Sequence, residues 1–180
     1  MIVERQSRET EVRVSLELAP GAVTVDTGVP FLDHMVATMG RYAQWTLGVR
    51  AKGDLRHHVI EDVAITLGTA VARVAPPAVI RFGHRVVPMD DALVAASLDL
   101  GGRRYYRGRL PSSFYTHWMR SFADAAGCTL HLDVRRGRDR HHVVEAAFKA
   151  LGLALRDALA PAPEVFSIKG AVRLTTREVP

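Results

Sequence analysis

The sequence predicts an α+β fold built from two copies of one unit. Three observations lead there. Short segments alternate with strand period, other segments carry apolar residues at helix period, and three motifs recur in the same order. S-L-[ED]-L occurs at Ser15–Leu18 and Ser97–Leu100, F-x-x-H-[MW] at Phe31–Met35 and Phe114–Trp118, and H-H-V-x-E at His57–Glu61 and His141–Glu145. Leu18 and His34 lie 16 positions apart, and Leu100 and His117 lie 17 apart. His34 to His57 is 23 positions, and His117 to His141 is 24. Three ordered motifs with nearly equal gaps indicate a duplicated unit of about 80 residues, each running strands, helix, strand, helix.

The elements follow in order. Glu11–Leu18 alternates strictly, with Val12, Val14, Leu16 and Leu18 on one face, and reads as a strand. Pro20-Gly21 turns the chain, and Ala22–Asp26 is expected to return as its hairpin partner. Phe31–Tyr42 has helical spacing, Trp45–Ala51 alternates as a strand, and Gly53-Asp54 is a turn. His57 to Val74 is an alanine-rich helix closed by Pro76-Pro77. Val79–Pro88 is a strand or loop without clear limits, and a strand runs from Leu93 to Leu100 until Gly101-Gly102 breaks it. Arg103–Leu110 is expected as the hairpin return, and Phe114–Ala126 as a helix. Leu130–Arg135 is a strand, Gly137 a turn, and His141–Leu159 the clearest helix; the tail after Pro161 is mostly non-helical.

The 180 residues fit one domain or two small half-domains around a common core. The expected division is 1–77 for the first half, 78–170 for the second and 171–180 for a tail, the halves packing as one compact unit. An apolar fraction of 48% excludes a disordered chain. No apolar run is long enough to span a membrane, and the charged N-terminus offers no signal-peptide core. Cys128 is the one cysteine, which excludes a disulfide framework and thiolate metal sites. A soluble cytoplasmic protein is the expectation. The net charge of +5 and pI near 9.9 point to an anionic partner, either nucleic acid or a phosphorylated metabolite.

Eight histidines carry most of the chemical information, and four of them form two His-His pairs. In each H-H-V-x-E element the glutamate stands three and four positions after the histidines, so either histidine can share a helix face with it. Adjacent histidines point about 100° apart and are better placed to serve two ions than one. With His34 and His117, the donors suffice for two sites of three His and one Glu. Imidazole and carboxylate donors without thiolate suit Mn²⁺, Fe²⁺, Co²⁺ or Zn²⁺. Core packing does not require imidazole twice at the same places, so the duplication favours metal sites over structural histidines. Arg81, Arg103 and Lys169, with Ser167 beside it, are of the types that grip phosphate. The run Arg135, Arg136, Arg138, Arg140 reads as solvated surface or a subunit contact; Tyr105, Tyr106 and Tyr115 are not interleaved with it as nucleic-acid stacking requires. Asp90-Asp91 reads as a cap or hydrogen-bond acceptor.

TGVPFLDHM (27–35), GDLRHHVIED (53–62), IRFG (80–83), PMDDAL (88–93), LDLGGR (98–103), GCTLHL (127–132), HHVVEAAFKALGLALRDA (141–158) and SIKG (167–170) together resemble the imidazoleglycerol-phosphate dehydratase family of histidine biosynthesis. The resemblance implies two halves like the second domain of ribosomal protein S5, each a four-stranded sheet backed by helices. It implies trimers that assemble into a 24-subunit shell, with active sites between subunits holding two manganese ions. The implied ligands are His34, His57, His58, Glu61, His117, His141, His142 and Glu145, and His131 is not among them. Substrate contacts fall on Glu9, Arg81, Arg103, Lys149, Ser167 and Lys169, and catalysis on Glu9 with His34, His58, Glu61, His142 and Glu145.

The implied reaction removes water from D-erythro-imidazole glycerol phosphate to give imidazole acetol phosphate. Positive charge at the ring nitrogens favours an electron-rich ring that expels the adjacent hydroxyl, and a carboxylate must move the protons; Glu9 is the candidate, the other glutamates being ligands. The chain departs from the family pattern at Tyr42 (usually His), Gly101 (usually Ser) and Asp139 (usually Asn). It is also shorter before His57, between Arg107 and Tyr115, and near Pro76-Pro77. Two other readings are open to the sequence: a dimetal paralogue acting on a different phosphorylated azole, and a metal-stabilised nucleic-acid-binding or structural shell protein.

Overall fold

A computed structural model describes residues 1–164. Its elements run β1 (Ile2–Gln6), β2 (Thr10–Glu17), β3 (Val23–Asp26), α1 (Pro30–Tyr42), β4 (Thr46–Gly53) and α2 (Arg56–Val74). The series then repeats as β5 (Phe82–Met89), β6 (Ala92–Asp99), β7 (Tyr105–Arg107), α3 (Ser113–Ala126), β8 (Thr129–Arg136) and α4 (Arg140–Ala158). Two four-stranded sheets result, in the orders β1-β2-β4-β3 and β5-β6-β8-β7. The identical order is what the repeated motifs require.

Period-two patterning becomes burial directly. Val12, Val14 and Leu16 of β2 are buried while Glu11, Arg13 and Glu17 are exposed. β1 has no clear sequence signal, because only Val3 of IVERQ is buried and the rest of the strand is largely polar. It matters nonetheless. Arg5 Nη1 lies 3.1 Å from a carboxylate oxygen of the buried Asp62 on α2, and Thr10 donates its hydroxyl to the same oxygen. The β1–β2 turn, with Glu9, is thereby fixed over the start of α2.

Two expected hairpins are corrected. Ala22–Asp26 does not pair back on Glu11–Leu18; β3 runs parallel to β4, on the far side from β2. Thr46 Oγ1 donates to Ala19 O and Leu47 N to Ala22 O, so the incoming chain is held by β4. Arg103–Leu110 likewise does not return along β6; only Tyr105–Arg107 form a strand, parallel to β8. Parallel neighbours need a crossover, and α1 and α3 supply it. The hairpin reading failed because a turn dipeptide marks a change of direction, not the strand that the chain joins next.

α2 covers β1, β2 and β4, and α4 covers β5, β6 and β8. The helices then meet across the two halves, α2 on α3 and α1 on α4. Trp118 stacks on Phe122 at 5.3 Å and meets Phe148 of α4 at 4.6 Å, all three fully buried. Two glycines set the spacing of the helix pairs. A Cβ at Gly68 of α2 would lie 2.6 Å from Phe122 O of α3, and one at Gly152 of α4 2.6 Å from Met39 O of α1. Both glycines stand eleven positions after the first histidine of their pair, so the same device draws each histidine-bearing helix onto its partner. Gly68→Ala and Gly152→Ala are therefore expected to lower stability by about 1–3 kcal/mol each, since backbone rather than a flexible side chain must move. Thermal unfolding checks this, and unchanged melting would contradict it.

Candidate metal centre

Each helix pair presents one cluster. His34 of α1 meets His141 and Glu145 of α4, and His117 of α3 meets His57 and Glu61 of α2. Within each trio the ligand atoms all lie within 4.8 Å of one another. Glu145 Oε2 is 2.9 Å from His141 Nε2 and 3.3 Å from His34 Nε2. Glu61 Oε2 is 3.6 Å from His57 Nε2, and its Oε1 is 3.2 Å from His117 Nε2. The first histidine of each pair, four residues before its glutamate, joins the cluster. Each cluster takes its lone histidine from the opposite half of the chain, which spacing along the sequence does not reveal.

The second histidines turn elsewhere. His58 Nδ1 is 2.8 Å from Asp54 Oδ1 and 3.7 Å from Glu9 Oε2. His142 Nδ1 is 2.8 Å from Asp91 Oδ1, and its Nε2 is 3.3 Å from Asp90 Oδ2. In both halves the turn between the first two strands brings an acidic residue to the second histidine: Glu9 in one, Asp90 and Asp91 in the other. The hydrogen bond to the Asp54 carboxylate raises the His58 pKa above its ordinary value, and that to Asp91 does the same for His142. Asp91 is held down at about 2, first by the Arg138 amide and then by His142 and the Asp139 amide. Asp91 is thus the hydrogen-bond acceptor the sequence suggested. Asp54 went unnoticed although it stands four residues before His58, and nothing in the sequence joins Asp91 to His142, 51 residues away.

The helix starts are organised around these groups. Asp139 caps α4, its Oδ1 accepting the His141 and His142 amides. Glu145 is nearly buried; burial pushes its carboxyl up, but Lys149 and His141 together outweigh that and hold it below the ordinary value. Lys149 Nζ sits 2.9 Å from Glu145 Oε1 and 5.6 Å from the centre of the Tyr42 ring.

The expected phosphate-binding arginines lie elsewhere. Arg81 grips Asp99 with Nε at 2.6 Å and Nη2 at 3.1 Å, and its amide donates to Ala158 O at the last residue of α4. Arg103 O accepts from Thr129 Oγ1 at the start of β8. Seventeen residues of helix separate His141 from Ala158, about 25 Å. Arg81 and Arg103 therefore stand at the opposite end of the chain from its clusters. Ser167 and Lys169, and the tail 171–180, lie outside the described residues. His84 and His131, the two histidines without an expected role, lie against Ser97 and Tyr105 away from the clusters.

The donor set fits a divalent transition ion: two imidazoles and one carboxylate, with no thiolate. The buried His117 Nε2 has no aligned hydrogen bond among the described residues, as expected of a nitrogen with another partner to meet. None of the described helices is long and apolar enough to cross a membrane.

Known proteins bear on this arrangement. A family model described as imidazoleglycerol-phosphate dehydratase matches residues 27–155. The protein of that name from Pyrobaculum calidifontis is 48% identical over 96% of this chain and 100% of its own length. Its counterpart from Methanoculleus marisnigri is 43% identical over 94% and 97%. The crystal structure of the Pyrococcus furiosus enzyme superposes with a TM-score of 0.86 at 34% identity, covering 94% of this chain and 99% of that one. The chain belongs to the imidazoleglycerol-phosphate dehydratase family, the hydro-lyases of histidine biosynthesis.

Proposed function

We propose that the family's dehydration of D-erythro-imidazole glycerol phosphate to imidazole acetol phosphate runs here on two divalent ions, manganese being the expected metal. The carrying observation is the pair of His–His–Glu clusters built twice from duplicated motifs. His34, His141 and Glu145 would hold one ion, and His57, Glu61 and His117 the other. Bound ions supply positive charge that favours proton loss from the substrate's imidazole and departure of the neighbouring hydroxyl.

The side chains do the rest. Asp54 and Asp91 each engage Nδ1 of a second histidine, fixing ring orientation and tautomer. His58 and His142 are thereby prepared as ligands, and among the described residues neither joins a cluster of its own chain. Completion of each cluster by the second histidine of another copy gives three His and one Glu per ion. Glu9, exposed beside His58, takes and returns the proton. Arg81 and Arg103, with Ser167 and Lys169, bind the substrate phosphate, and Lys149 contacts substrate while fixing Glu145. Arg81 is bonded to the last residue of α4, about 25 Å of helix from His141 at the other end, and this separation supports a site shared between subunits, as in a trimer-based 24-subunit shell. The two halves, 1–77 and 78–170, would form one compact unit of that shell, in the cytoplasm.

Glu9→Gln tests the chemical assignment. It is expected to lower kcat by about 10²–10⁴-fold with metal content unchanged, because a base is removed and no ligand is lost. Unchanged kcat in the metal-loaded variant would exclude Glu9 as the proton carrier.

A further inference from the structure

Beside the second cluster, with His117 in its wall, lies a cavity of about 590 Å³ whose arginines have no part in the proposed reaction. Its walls are the 108–113 loop, the first turns of α3, and Arg140 at the start of α4. Three arginines line it: Arg109, Arg120 and Arg140. Among the described residues, no acidic one does. Arg140 Nε donates to Pro111 O, which leaves the outer edge of its guanidinium open. Arg109 and Arg120 make no ion pair among the described residues. Elsewhere, Arg13, Arg81 and Arg85 each meet a carboxylate.

Like charges gathered on one cavity repel, and nothing within the cavity wall offsets them. Helix geometry and hydroxyl groups accompany the charges. The first turn of α3 lines the cavity, and Ser112 at its N-cap position makes no side-chain capping bond, so the helix's positive end is left without a side-chain acceptor. Ser113 adds a hydroxyl. The Tyr106 hydroxyl, buried without a partner among the described residues, does not line the cavity but lies beside Gly108, which does.

We propose that this cavity is a binding site for a tetrahedral oxyanion, inorganic phosphate or a phosphomonoester, distinct from the Arg81–Arg103 end of the chain. Guanidinium forks match the paired oxygens of phosphate, and a planar or monatomic anion satisfies three of them less well. His117 forms part of the wall, so the anion sits against the histidine of the second cluster. A small phosphorylated metabolite can then be sensed next to the reacting centre without competing for the substrate's own phosphate contacts.

The test is equilibrium binding of inorganic phosphate to the metal-loaded full chain at constant ionic strength, with chloride as the reference. Saturable phosphate binding is expected to persist in Arg103→Gln. It should weaken at least about tenfold in the double variant Arg109→Gln/Arg120→Gln, as loss of charge-assisted bonds requires. Both side chains are exposed and make no ion pair among the described residues, so folding is not at stake. Ser113→Glu provides a second variant: a carboxylate at the start of α3 favours the helix and should displace phosphate equally. Glycerol phosphate in a parallel titration separates the sources, binding as tightly as phosphate if the ligand is a phosphomonoester and more weakly if it is the free ion. Phosphate binding that is absent from Arg103→Gln, or unchanged in Arg109→Gln/Arg120→Gln, overturns the proposal. Unchanged binding together with an altered assembly mass would assign the arginines to an acidic surface of another copy, which also overturns it. Dehydratase turnover in the same samples reports separately on the proposed function.

Discussion

Glu145→Gln and Glu61→Gln are each expected to lower dehydratase turnover by more than about 10³-fold, with loss of bound metal. Each glutamate is the one carboxylate in its cluster, and the substitution keeps shape while removing the charge that holds two imidazoles around an ion. The two variants should differ in stability. Glu145 is nearly buried and is the acidic partner of Lys149, itself mostly covered, so its replacement leaves an ammonium against a neutral amide, at a cost of about 1–3 kcal/mol. Glu61 is more open and among the described residues pairs only with histidines, so Glu61→Gln should melt close to the parent. Elemental analysis, steady-state kinetics and thermal unfolding on both variants read all three effects. Full activity in either variant would remove that carboxylate from the ligand set.

Mixing two inactive proteins should restore activity. If the phosphate-binding arginines and the clusters of one site come from different copies, then Arg103→Ala and Glu145→Gln damage different contributions to it. Co-assembled one to one, roughly a quarter of the sites combine two intact contributions, half times half, and activity should recover to that level. Neither variant alone should exceed a small fraction of wild type. The prediction rests on geometry within one chain: Arg81 is bonded to the C-terminal end of the helix whose N-terminal end carries His141. Failure to recover, with mixed assemblies verified by mass, would mean that each chain supplies whole sites.

Much of this was legible beforehand, for identifiable reasons. Val12, Val14 and Leu16 alternate because one face of β2 is buried, and the helix bearing His141 keeps its period because one side rests on a sheet. The eight candidate ligands were visible because duplication wrote the same three motifs twice. The pairing of His34 with His141 and of His57 with His117 was not, since it depends on which helices pack across the halves. Nothing in the sequence marks Gly68 and Gly152 as close-approach positions, since the backbone facing each belongs to a helix of the other half. The sheet order was misread at β3 and β7, where a crossover through a helix, not the turn before it, selects the neighbour. The cavity of Arg109, Arg120 and Arg140 gathers residues from a loop and two helices that are separated in the sequence.

Metal content and turnover measured on the same preparation bear most directly on the two clusters. Two divalent ions per chain are expected, with conversion of D-erythro-imidazole glycerol phosphate to imidazole acetol phosphate that stops on chelation and returns with Mn²⁺. Turnover that survives complete removal of metal, or that persists in Glu61→Gln/Glu145→Gln, would contradict a reaction run on ions held by these histidines and glutamates.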